Sequence, residues 1–165
     1  MSLNLLTFLI FYFLIINSTL GYGFLISKLS KLNLKYFSIS FLGLLGVFIL
    51  IIISYITHFF VSHNYFHNSI ILLLGILSFF YFLKEQNEKK KIFKLNFFFL
   101  LFYIGLIIFK SHDDFSYYHF PYIYYLTQNE LFLGVGNFNH GFRTPSSIFY
   151  LNSLFYLPII KYYFF

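Results

Sequence analysis

An all-α protein that crosses a membrane several times is the fold class predicted by three features of this chain. Its 165 residues are 59% hydrophobic and only 10% charged, whereas soluble domains are near a quarter charged. The charges also stand in blocks, so that residues 1–27, 36–83 and 95–109 contain none. A crossing takes about 20 apolar residues at about 1.5 Å each. The first block therefore holds one crossing, the second holds two, and the third holds a short fourth.

The elements follow in order. Span one covers about 3–26, with Asn17, Ser18 and Gly21-Tyr22-Gly23 interrupting its second half, and Lys28, Lys31 and Lys35 follow at once. Span two covers about 37–59. Phe41 to Ile56 supplies twelve Phe, Leu, Ile or Val residues, worth about −4 to −7 kcal/mol of insertion free energy. Gly43 and Gly46 are either contact points for a neighbouring helix or incidental. A polar break from Thr57 to Asn68 contains His58, His63, Asn64, His67 and Asn68, and span three covers about 69–83. Lys84 to Lys94 is a second basic loop. Span four, about 94–110, covers only about 22 Å, a length that Lys94 and Lys110 accommodate by snorkelling to opposite faces.

Eight of the eleven basic residues lie in the two loops after spans one and three. Alternating spans put both loops on one side, and the positive-inside rule assigns that side to the cytoplasm. The N-terminus, loop 57–68 and residues 111–145 then face outward from a cytoplasmic (inner) membrane. The same rule accounts for the net charge of +6 without nucleic acid as a partner; membrane lipids are the expected surroundings. Cysteine is absent, which rules out a disulfide framework and thiolate metal sites. The N-terminus is not a cleaved signal peptide, because no basic residue precedes the apolar run, the run is too long, and no small-x-small cleavage site follows. The surplus of Phe, Ile, Asn, Tyr and Lys reads as AT-rich coding bias, so aromatic clusters alone carry no functional signal.

The chain thus divides into a four-span region, 1–110, and a motif segment, 111–165. The segment 146–165 reads as a fifth span or a half-span broken by Pro158 and Lys161, and the abrupt end at Phe164-Phe165 suggests the front part of a larger protein. Residues 110–158 hold three of the five acidic residues, three of the six histidines, Arg143 and all three prolines. Burying Asp113 and Asp114 in hydrocarbon would cost about 5–7 kcal/mol, so both belong at or above the lipid surface. Ser111 to Asp114 fits a capping box, with Ser111 as N-cap and Asp114 at the third position of a helix over 112–132 lying along the membrane. A carboxylate at a helix start can also face a cleft and act as a base. Tyr117, Tyr118, Tyr122, Tyr124 and Tyr125 suit an aromatic belt, and His119 is either structural or a phosphate contact. Gly134-Val135-Gly136-Asn137 is a lone glycine-rich turn. Thr144 and Pro145 predict the start of another helix. Arg143 beside it either grips a phosphate or snorkels to headgroups. His63 and His67 have the i,i+4 spacing of zinc ligands, but no third ligand is near in sequence, so neither metal nor cofactor is expected.

The run Asp113-Asp114-Phe115-Ser116-Tyr117-Tyr118-His119-Phe120-Pro121 resembles that of polytopic bacterial glycosyltransferases of the GT-C type. These carry an acidic residue or pair in an early extracytoplasmic loop, often followed by Tyr-His and Pro. More narrowly, Asp114, Tyr118-His119, Gly134-Val135-Gly136-Asn137 and Ser146-Ser147 are similar to a pattern in a group of uncharacterised bacterial membrane proteins. The chain differs from the GT-C pattern in placing four spans before the acidic pair. The resemblance implies sugar transfer from a polyprenyl-phosphate carrier on the outer face. It implies Asp113 or Asp114 as the general base, with Tyr118, His119, Asn137 and Arg143 around the substrate. The alternatives are a transporter or polysaccharide-export subunit, which would need ionisable groups inside the spans, or an inactive fragment.

Overall fold

The computed structural model describes residues 4–32, 38–85, 89–108 and 113–165. The regular elements among the described residues are all helices, and one isolated antiparallel bridge joins Leu157 and Lys161. Four long helices come first: α1 (Leu5–Leu29), α2 (Ile39–His58), α3 (Tyr65–Glu85) and α4 (Lys89–Ile108). A π-helical turn over Phe115–His119 leads into α5 (Phe120–Gln128), and two 3₁₀ turns, Val135–Asn137 and His140–Phe142, precede α6 (Ser147–Ser153). The chain forms two compact units: Met1–Leu50 with Leu72–Phe109, and Ile51–Ile71 with Lys110–Phe165.

In the first unit α1 is the central element. Asn4 starts it by accepting the Leu6 N–H at 3.0 Å, and Lys31, in the left-handed region at φ 54°, closes it. The interruptions seen in the sequence do not end the helix, because each finds a partner on a neighbour. Asn17 and Asn96 of α4 exchange amide hydrogen bonds at 3.1 Å, and Ser18 donates to the Leu72 carbonyl of α3 at 3.1 Å. Gly21 meets Gly75 of α3, and Gly23 meets Leu42 of α2, so closely that a Cβ on either glycine would overlap the facing carbonyl oxygen. Gly46 touches the Thr19 carbonyl in the same way, whereas Gly43 meets only a Leu20 methyl group at 3.5 Å; of the two alternatives, Gly46 is the contact point and Gly43 is incidental. Tyr12 donates to the Phe99 carbonyl at 2.9 Å and Tyr103 to the Leu5 carbonyl at 2.8 Å, tying α1 to α4. Leu20, Phe24, Leu42, Phe79, Phe82 and Ile92 fill the core between them.

All four helices are long and apolar enough to cross a membrane. Their outer faces are made of exposed Leu44, Phe48, Leu73, Leu77, Phe97 and Leu101. Water would oppose such a surface by about 25 cal/mol per Å², and hydrocarbon would not. The protein is therefore an all-α, membrane-spanning protein.

Boundaries differ from the sequence expectation in places. Helix α3 starts at Tyr65 rather than at residue 69, because Asn64 accepts the His67 N–H at 3.1 Å and caps it; the polar break shrinks to 59–64. Helix α4 starts at Lys89, since the first N–H groups of a helix need polar surroundings that its lysines keep within reach. Instead of one helix over 112–132, a π turn and α5 end at Gln128, beyond which Asn129 is extended at φ −127°, ψ 152°. The second helix begins with Ser146, not Thr144, as N-cap: the Ser146 hydroxyl accepts the Ile148 N–H at 3.3 Å. It is seven residues long, a rise of about 10 Å where a crossing needs about 30 Å. Turns follow it, with Lys161 at φ 46°, so no fifth crossing helix exists among the described residues.

The second unit is organised by α5 and α6. Tyr122, Ile123 and Leu126 pack on Phe149 and Tyr150, flanked by Tyr55, Tyr118, Tyr125 and Phe142. The turn between α2 and α3 is tied to this pair through the backbone: His63 N–H donates to the Leu126 carbonyl at 2.9 Å, and Leu131 N–H to the His58 carbonyl at 3.2 Å.

Candidate functional site

Residues Phe115–His119 form a π turn, closed by the Phe120 N–H donating to the Phe115 carbonyl. A π turn bonds residues five apart, and such turns recur at functional sites. Asp114 stands at the N-terminal end of this turn and His119 at its C-terminal end. Asp113 and Asp114 are both exposed at its start. Asp114 stands just before the first helical residue, not at the third position, and its side chain makes no capping hydrogen bond. Ser111, the other half of the expected capping box, lies outside the described residues.

His119 is half-buried, held at 4.3 Å between ring centres from Tyr118 and 4.8 Å from Phe149 of α6. Tyr118 lies against Gly141, where a Cβ would sit 2.6 Å from the Tyr118 ring. That contact brings the 3₁₀ turn His140–Phe142 under the π turn, with Asn139 accepting the Gly141 N–H at 2.9 Å to start it. Arg143 follows this turn. Its Nε donates to the Gly136 carbonyl at 3.3 Å, and its stem covers Gly136, where a Cβ would meet the Arg143 Cγ at 3.1 Å. Asn137 N–H donates to the Gly134 carbonyl at 2.9 Å, a turn that needs Gly134 at φ 92°. The structure thus joins Tyr118 and His119 to Phe149 and Gly141, and Arg143 to Gly136 next to Asn137. The guanidinium of Arg143 is exposed and retains N–H groups for an anion beyond the one used on Gly136.

A second polar cluster was not legible in sequence. His63 is fully buried, with Nδ1 2.6 Å from the Ser153 hydroxyl and Nε2 3.1 Å from the Ser54 carbonyl. Asn68, also fully buried, donates to the carbonyls of His63, Ser153 and Tyr156 at 2.7, 2.8 and 2.9 Å. Burial, and then the neighbouring His67 and His58, holds the His63 imidazole down to about 3, against the Ser54 carbonyl, which raises it. It is therefore neutral at pH 7, with both ring nitrogens within hydrogen-bond distance of a partner. His63 and His67 do not share a helix face, because His63 precedes α3. Their rings stack at 5.1 Å. Among the described residues no group of three or more His, Cys, Asp or Glu is arranged to hold a metal ion. The three histidines His58, His63 and His67 were visible in the sequence; the partner Ser153, 90 residues away from His63, was not.

Neither a curated protein nor a solved structure matches the chain. Residues 5–165 match the family model described as Domain of unknown function (DUF8201), and the chain belongs to that family.

Proposed function

We propose that the chain is part of a GT-C-like glycosyltransferase in the cytoplasmic membrane, taking a sugar from a polyprenyl-phosphate carrier on the outer face. The observation that carries this reading is the π turn that runs from Asp114 to His119, a form that recurs at functional sites, in a membrane-spanning protein that also exposes Arg143. The carboxylate of Asp114, or of Asp113, takes the proton of the acceptor hydroxyl. The hydroxyl oxygen attacks the anomeric carbon, and the bond from that carbon to the phosphate oxygen breaks. Its electron pair leaves with the polyprenyl phosphate, whose charge Arg143 and His119 meet, with Tyr118 and Asn137 bordering the sugar. Holding acceptor and base together supplies much of such a rate, so the base needs no special acidity.

The test uses membranes containing the full-length protein and a radiolabelled polyprenyl-phosphate sugar. Asp114→Asn keeps size and removes the base, and is expected to lower transfer by about 10²–10⁴-fold at unchanged protein level. Normal transfer by Asp113→Asn and Asp114→Asn alike would refute the reading.

A further inference from the structure

The buried His58 and the half-buried His67 are unlike His63. Both ring nitrogens of His58, which is 1% exposed, and Nε2 of His67 are buried without a hydrogen-bond partner among the described residues. The state of His67 follows from its neighbour. Asn68 turns its amide N–H groups to three carbonyls, so its Oδ1, 2.9 Å from His67 Nδ1, accepts a proton held on that nitrogen. The lone pair of His67 therefore sits on the unpartnered Nε2. His58, at the C-terminal end of α2, has neither an acceptor for its N–H nor a donor for its lone pair. The titratable groups packed around it are His63 of the 59–64 turn at 5.1 Å, Tyr125 of α5 at 6.4 Å and Tyr150 of α6 at 5.7 Å between ring centres, with His67 of α3 beyond. None of these is a carboxylate that would stabilise an imidazolium.

A proton added to either ring creates a cation with N–H groups that nothing in the closed packing receives, and such burial is strongly unfavourable. Water must reach the ring for the proton to stay. The segments that shut it out are held by two backbone hydrogen bonds, His63 N–H to Leu126 and Leu131 N–H to His58. We propose that His58 and His67 form an acid-sensitive latch, which keeps the α2–α3 turn fastened to α5 while both rings are neutral and releases it when the surroundings acidify. His63 takes no part in the release, since its nitrogens are paired. Because α5 also carries Tyr122, which packs on Phe149 beside His119, release loosens the floor of the candidate site. The latch itself stands independently of the chemistry proposed there.

Hydrogen–deuterium exchange of the full chain in detergent micelles, at pH 7.5 and 5.0 and corrected for intrinsic exchange rates, reads this directly. For each proton taken up on opening, the open population grows about tenfold per pH unit below about 6.5. Protection of peptides covering 59–68 and 126–132 is therefore expected to fall at least tenfold at pH 5.0, with α1 unchanged. In His58→Phe, which keeps an aromatic ring and cannot take a proton, the fall is expected to shrink to that of His67 alone. Protection indifferent to pH overturns the latch, as does an undiminished fall in His58→Phe. A fall seen only after chelator treatment also overturns it, by showing a metal on these nitrogens. If His58→Phe does not insert, imidazole NMR of wild type decides: His58 is expected to take its proton as protection is lost, and a His58 that stays neutral through opening contradicts the proposal.

Discussion

Ser153 and His63 show how one residue pair holds a segment of this protein in place. The Ser153 hydroxyl meets His63 Nδ1 at 2.6 Å, and both side chains are fully buried. Ser153→Ala leaves a buried imidazole nitrogen unpaired, a loss of about 1–3 kcal/mol; thermal unfolding of the detergent-solubilised protein is expected to show it as a lower Tm, and an unchanged Tm would mean that the bond contributes nothing. The same histidine sets the direction of a pH effect. Its folded value, about 3, lies below the ordinary 6.5, so the unfolded chain binds the proton more tightly. His63 therefore contributes stability above pH 6.5 that is lost as pH falls towards 3, by about 1.4 kcal/mol per pH unit. A Tm that rises on acidification from pH 7 to 5 would contradict this sign. At the candidate site, Gly141→Ala pushes a methyl group to 2.6 Å from the Tyr118 ring. It is expected to displace Tyr118 and, with it, His119.

At the scale of the helices, close approach matters more than apolar area. Gly21 and Gly46 face carbonyl oxygens of neighbouring helices, whereas Gly43 meets only a methyl group. Gly46→Ala is expected to cost about 1–3 kcal/mol by overpacking and Gly43→Ala almost nothing, as read by thermal unfolding; equal effects would show that the α1–α2 contact is not the constraint. The four crossings were legible because hydropathy is local: a charge-free block long enough to span is visible without knowing its neighbours. Which glycine makes a contact was not legible, since Thr19 and Gly46 meet only in the folded bundle. Helix ends were legible only in part. Asn64 and Ser146 cap helices through their own side chains, but Thr144-Pro145 offered an equally good local signal two residues away. The π turn at Phe115–His119 has no local signature in this sequence.

For the molecule as a whole, the central proposal is that residues 111–145, with Asp113, Asp114, His119 and Arg143, face the outer side of the membrane. That side was inferred from lysine asymmetry, the one global feature that sequence displays directly, while the pairing of segments 51–71 and 110–165 into one unit rests on contacts no local pattern reveals. The absence of cysteine allows a clean measurement: single cysteines introduced at Asn129 and at Lys31, and labelled in intact cells with a membrane-impermeant maleimide. Labelling is expected at 129 without permeabilisation and at 31 only after it. The reverse pattern would place the carboxylates in the cytoplasm, away from any donor presented on the outer face, and would contradict the account.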